Sequence, residues 1–317
     1  MTRLKTQAAK ESLLRRVRKQ RLKSITVLPS LVTILNGVCG FAAIVFASKG
    51  VAAGVNHFSY HRLTLPYFAM AGYMVLLAMI ADMLDGRLAR MSQSTSSFGG
   101  QLDSLCDIVS FGVAPAFLML KVLEYKLAGL VETNPAFVSF LHRFIWLAAA
   151  AYISCAAIRL ARFNVENEED ESAHMSFVGL PSPAAAGVIV SLVIFHQETL
   201  PELSARSTQA YTICENAVIY ALPFLLLGVS VLMVSRIRYP HILNQYLKGK
   251  KPFAHLIRAL VFLGLIIWSR QAALVLIFCG FAASGLVKWL YYRVPILRRT
   301  PKWVLQNNHK GPSYPMD

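Results

Sequence analysis

Asp82-Met-Leu-Asp85-Gly86-Arg-Leu-Ala89-Arg90, followed after eight residues by Gly99-Gly-Gln-Leu-Asp103-Ser-Leu-Cys-Asp107, sets four aspartates into apolar stretches of the chain. An ionised carboxylate in apolar surroundings is costly, so four together imply a site that offsets the cost. Asp82 and Asp85 are three apart and share one helix face, a turn from each other. Gly99, Asp103 and Asp107 are spaced by four and share a face as well. Two helices joined by a short loop therefore aim all four carboxylates at one point. Hard divalent cations such as Mg2+ favour such an oxygen-rich setting. Two such ions can clamp a phosphoryl group between nucleophile and leaving group.

Outward from this stretch, 56% of the 317 residues are hydrophobic and the mean hydropathy is +0.50, which excludes an ordinary soluble globular domain. Apolar runs near the ~20 residues needed to cross a bilayer recur along the whole length. They are expected at 25–48, 66–90, 99–123, 138–162, 180–197, 214–235, 254–269 and 271–292, the last two meeting at a tight Ser269-Arg270 turn. The fold class is thus an all-α integral membrane protein, a bundle of about eight transmembrane helices. It divides into a basic N-terminal segment (1–24), a catalytic transmembrane core (25–235), additional transmembrane helices (236–292) and a basic tail (293–317).

The net charge of +16 invites a nucleic-acid reading, but its distribution argues against nucleic acid as a partner. Basic residues crowd 3–23, the 236–251 loop and the C-terminal tail, which fall on one side of an eight-span chain. By the positive-inside rule both termini are cytoplasmic, and so is the 91–98 loop beside the aspartates. Residues 3–23 mix leucines with many bases, a pattern for a helix lying on an anionic leaflet or for a solvated tail. A long basic start before a full-length apolar run is not a cleavable signal. The five cysteines (Cys39, Cys106, Cys155, Cys214, Cys279) lack metal-ligand spacing and read as small packing residues. The eight histidines show no ligand spacing either, and the acidic run 166–171 reads as a solvated loop.

The pattern D-x2-D-G-x2-A-R-x8-G-x3-D-x3-D, with every position filled, resembles the signature of the CDP-alcohol phosphotransferases. The resemblance implies a CDP-linked substrate, release of CMP and a homodimer. It points to two divalent ions, Mg2+ or Mn2+, with Asp82, Asp85 and Asp103 as main ligands and Asp107 sharing in coordination. Asp107 is also the expected base for the acceptor hydroxyl, although spacing alone does not decide between Asp107 and Asp103. Gly86 and Gly99 lack side chains where the helices and a base or pyrophosphate approach closely. Ala89 is small for the same reason, and Arg90 suits a phosphate oxygen. With Asp82 they form the expected nucleotide site. Leu28-Pro29-Ser30-Leu31-Val32-Thr33-Ile34-Leu35-Asn36-Gly37 resembles the family's P-N-x-x-T element, with Ser30 where Asn is common. It adds Thr33 and Asn36 to that site.

Two more segments, Arg159-Leu-Ala-Arg162-Phe-Asn164 and Phe177-Val-Gly-Leu-Pro181-Ser-Pro-Ala-Ala185, resemble the phosphatidylserine synthase branch of that family. The branch implies CDP-diacylglycerol and L-serine as substrates at a membrane-lipid surface. Arg159 and Arg162, three apart, are suited to hold a carboxylate; Asn164 could bind either end of the amino acid. Pro181 opens a helix whose free N–H groups favour a phosphate or carboxylate. The alternatives are a relative acting on glycerol 3-phosphate, inositol phosphate or choline, and, more remotely, a cation transporter using the aspartates as an ion site. A compact chain with a basic tail suits a bacterial inner membrane.

Overall fold

Seven helices among the described residues are long and apolar enough to cross a bilayer: Ser30–Lys49, Tyr67–Leu88, Phe98–Leu127, Val138–Val165, Ser182–Glu202, Thr208–Val234 and Arg270–Tyr291. In this computed structural model the described residues are 30–51, 57–60, 63–92, 97–127, 135–169, 177–204, 207–239 and 269–293. The expected span at 254–269 lies outside them except for Ser269, and the N-terminal segment 1–24 and residues 294–317 lie outside them entirely.

The chain runs through α1 (Ser30–Lys49), β1 (His57–Tyr60), β2 (Leu63–Pro66), α2 (Tyr67–Ser92) and α3 (Ser97–Asp107). A π-helical stretch, Ile108–Val113, joins α3 to α4 (Ala114–Leu127) without a break. Next come α5 (Pro135–Glu169), β3 (Phe177–Val178) and α6 (Ser182–Ile194). A second π-helical stretch, Phe195–Thr199, leads into α7 (Leu200–Ser204). Then follow α8 (Thr208–Val234), β4 (Arg238–Tyr239) and α9 (Arg270–Arg293).

Helix starts follow local chemistry. Ser207 caps α8 by accepting the Ala210 N–H, and Ser269 does the same for Ala272 at the start of α9. Pro181 is the N-cap of α6 and Pro183 stands in its first turn, where a missing N–H costs nothing. Ten of the thirteen residues of α6 are buried, which makes it the central helix. It packs on α2, α9 and α8, while α5 lies along α8 and α4. Leu118, Met119, Leu123, Tyr152, Ile189 and Val193 fill the space between them. Around this core Leu31, Phe41, Trp146, Phe224 and Val287 point outward and exposed, as expected of a surface facing hydrocarbon.

The all-α expectation omits two short β pieces. β1 and β2 pair antiparallel from His57↔Pro66 to Tyr60↔Leu63, and β3 pairs with β4 through Phe177↔Tyr239 and Val178↔Arg238. The second pair is a clamp. Gly179 donates its N–H to Ile237 O (2.8 Å) and Leu180 to Leu232 O (3.0 Å), pinning the entry to α6 onto the end of α8. Gly179 has φ +83°, and a Cβ there would collide with Met233 O, so only glycine fits this turn without strain.

Candidate active site

α2 ends and α3 begins at one end of the bundle, and this brings the aspartates together. Asp82 and Asp85 lie near the end of α2, Asp103 in the second turn of α3; one carboxylate oxygen of each lies within 4.8 Å of the others. At that separation two negative charges repel by roughly 3 kcal/mol even at an effective dielectric of 20. Asp85 is buried, and Asp85 Oδ2 and Asp103 Oδ1 are shielded oxygens that accept no hydrogen bond. Three carboxylates so close, with two orphaned oxygens, fit a hard divalent cation by number and type of donor. The three are a triad able to hold a metal ion.

Asp107, expected to share in coordination, stands outside the triad, one turn further along α3 and near enough to Asp82 and Asp103 to feel their charges. It is 8% exposed, and its Oδ1 accepts a hydrogen bond from Asn36 Nδ2 (2.9 Å), itself fully buried on α1. Thr33, one turn earlier on α1, donates its hydroxyl to Asp85. The two α1 residues expected to contact nucleotide thus orient two of the aspartates. Sequence reading did not see this, because nothing in local spacing relates residues 36 and 107.

α1 can reach the aspartates because it crosses the π-helical stretch closely. Ser110 donates to Asn36 O (2.9 Å), and a Cβ on Gly40 would sit 2.7 Å from Ser110 Cα. A π-helical turn leaves its carbonyls partly unclaimed, and Phe111 O takes the buried Tyr152 hydroxyl of α5 (2.9 Å). Asp107 therefore sits at a junction fixed from two sides.

Gly86 was expected where helices approach closely. Instead, a Cβ there would meet nothing within 4 Å among the described residues, which leaves open space beside the triad. Gly99 lies in the first turn of α3. Ala89 and Arg90 continue α2, and their side chains lie outside the described residues.

From α5, Arg159 approaches the same end. Its Nη1 donates to Ser182 Oγ (2.9 Å), its Nε is buried without a partner, and its charge acts on Asp107. Ser182, 1% exposed, follows Pro181 at the start of α6; its role in holding Arg159 escaped the sequence reading. Asn164 Nδ2 donates to Ser104 Oγ (2.9 Å), which ties the end of α5 to α3 next to Asp103. Arg162 lies half-buried one turn from Arg159. The site thus has an acidic side built by α2 and α3 and a basic side built by α5 and the start of α6.

The opposite end of the bundle is polar too. Tyr73 and Gln271 both donate to Glu198 Oε2 (2.8 and 2.6 Å), joining α2, the second π-helical stretch and α9. Lys126 on α4 pairs with Glu215 on α8, beside the buried His196.

The sequence profile described as CDP-alcohol phosphatidyltransferase matches residues 26–227. Among curated proteins, the chain is 32% identical over 230 residues to a CDP-diacylglycerol–serine O-phosphatidyltransferase of Helicobacter pylori, covering 73% of this chain and 84% of the relative. A protein of the same name from Methanocaldococcus jannaschii is 30% identical over 224 residues, 71% of this chain and 79% of the relative. One from Saccharomyces cerevisiae is 33% identical over 166 residues, 51% of each chain.

Proposed function

We propose that this chain, which belongs to the CDP-alcohol phosphatidyltransferase family, transfers the phosphatidyl group of CDP-diacylglycerol to the hydroxyl of L-serine and releases CMP. The observation that carries the reading is the Asp82, Asp85 and Asp103 triad with Asp107 beside it and Arg159 opposite.

In this reading the triad and Asp107 hold two divalent ions, Mg2+ or Mn2+. Bound there, the ions supply positive charge to the pyrophosphate and to the departing CMP. Thr33 and Asn36 fix the carboxylates of Asp85 and Asp107, and the open space at Gly86 receives the nucleotide together with Ala89, Arg90 and Gly99. Arg159, whose Nε has no partner among the described residues, takes the serine carboxylate with help from Arg162 and from the N-terminus of α6 at Pro181. Asn164 helps by holding α5 to α3. Asp107 accepts the proton of the serine hydroxyl. The freed oxygen attacks the phosphorus that carries the diacylglycerol, and the bond from that phosphorus to the oxygen of CMP breaks. Transfer is direct, and no serine, cysteine or histidine of the protein serves as nucleophile.

The placement is part of the proposal. Both termini and the aspartate end face the cytoplasm, where the basic segments lie, and a bacterial inner membrane suits the chain. A homodimer is proposed from the family resemblance alone.

The test is CMP release by the detergent-purified protein given CDP-diacylglycerol, a divalent ion and a panel of alcohols, with Asp107→Asn as control. Release that needs serine and metal and vanishes in the variant is the expected result. Release with another alcohol would keep the family and discard the serine pocket.

A further inference from the structure

The profile match ends at residue 227, yet the basic side of the site is held in place by residues beyond it. Arg159 is fixed by Ser182, Ser182 follows the turn at Gly179 and Leu180, and that turn is bonded to Ile237 and Leu232. β3 lies against β4, where Phe177 pairs with Tyr239. Tyr239 is fully buried although it sits next to the end of the described core. Its hydroxyl donates to Ala282 O on α9 (3.2 Å), and its ring lies 5.5 Å from that of Phe281. Gly285, one turn on, leaves room for the ring: a Cβ there would overlap Tyr239. α9 is itself seated on α6, with Phe278 filling the place where Gly187 has no side chain.

An ordinary packing tyrosine needs neither a strand pairing nor a glycine-sized recess. Here both converge on the one segment that leads into Ser182. We propose that Tyr239, seated in the Gly285 recess of α9, is a positioning residue for the acceptor alcohol: it fixes the β3–β4 clamp and through it the Ser182–Arg159 pair. This rests on the assignment of Arg159 to the acceptor side. It gives α9 a part in acceptor binding through its packing on Tyr239.

The test uses three full-length variants. Gly285→Ala pushes a methyl into the ring, Tyr239→Phe removes only the hydroxyl, and Gly280→Ala is a control on the same helix whose Cβ meets nothing within 4 Å. In Gly285→Ala, serine KM rises by roughly fivefold while kcat and the CDP-diacylglycerol KM stay within about twofold, a share of what losing a charge-assisted bond costs. Tyr239→Phe shows the same split more weakly, and Gly280→Ala none. Hydrogen exchange gives a readout without turnover: the Gly179 and Leu180 amides exchange faster in Gly285→Ala and unchanged in Gly280→Ala. Unchanged exchange at these amides would overturn the proposal, as would faster exchange with an unmoved serine KM or a parallel rise of both KM values. If the wild type uses another alcohol, the serine assignment falls and the same split in that alcohol's KM supports the positioning role. If it releases no CMP with any alcohol, both readings fall together.

Discussion

Asn36 and Asp107, seventy-one residues apart, meet in one buried hydrogen bond of 2.9 Å from Nδ2 to Oδ1. Removing the amide leaves a carboxylate free to rotate. A bond to a charged group is worth about 1.5–3 kcal/mol, so Asn36→Ala should lower kcat by roughly 10- to 100-fold. The KM for CDP-diacylglycerol should change much less. Steady-state kinetics on CMP release checks this, and an equal loss in KM with kcat intact would return Asn36 to a purely nucleotide-binding role.

The triad makes a prediction about stability. Without a divalent ion its charges repel, so Asp85→Asn should raise the thermal unfolding temperature of the metal-free protein. Added Mg2+ or Mn2+ should stabilise the wild type and leave the variant almost unmoved. CMP release by the variant should fall by about 1,000-fold or more. Differential scanning fluorimetry with and without chelator tests the first two points. A wild type indifferent to the ions would remove the metal assignment.

Arg159→Lys keeps the charge but loses the planar fork. Serine KM should rise by at least roughly tenfold while CDP-diacylglycerol KM stays close to the wild-type value, because only the acceptor meets the fork. Ser182→Ala should show a smaller shift in the same direction, since it removes the hydroxyl that holds Nη1. Initial rates at varied serine, with CDP-diacylglycerol saturating, separate the two effects.

Gly179→Ala tests the clamp by strain. The positive φ and the collision with Met233 O each oppose a side chain, and together they should cost more than about 2 kcal/mol. Gly228→Ala, on α8 with open space beside it, should be nearly neutral. Chemical denaturation of the two variants in the same micelle makes the comparison.

The Asp82, Asp85 and Asp103 grouping was legible because its spacings are local, three and four on a helix, while the place of Asp107 outside that triad was not. The seven spans among the described residues were legible for the same reason, since a run of apolar residues carries its own length. What linked distant segments was not. The Asn36–Asp107 and Arg159–Ser182 bonds depend on how helices cross, and Ser182 looks like any residue between two prolines. β3 and β4 are two residues each, too short for alternation to register. The π-helical stretches keep a helical hydrophobic pattern while adding a residue to the turn, so a period of 3.6 passes over them.

The ties at the far end have an electrical meaning. Lys126 lies nineteen residues beyond Asp107 on continuous helix, roughly 28 Å away, nearly the thickness of the hydrocarbon. Between them run the largely apolar side chains of α4, and at the far end Glu198 Oε2 takes Tyr73 and Gln271 while Glu215 pairs with Lys126. The acidic cluster and the far-end ion pair thus stand at opposite ends of the bundle, separated by about one thickness of hydrocarbon.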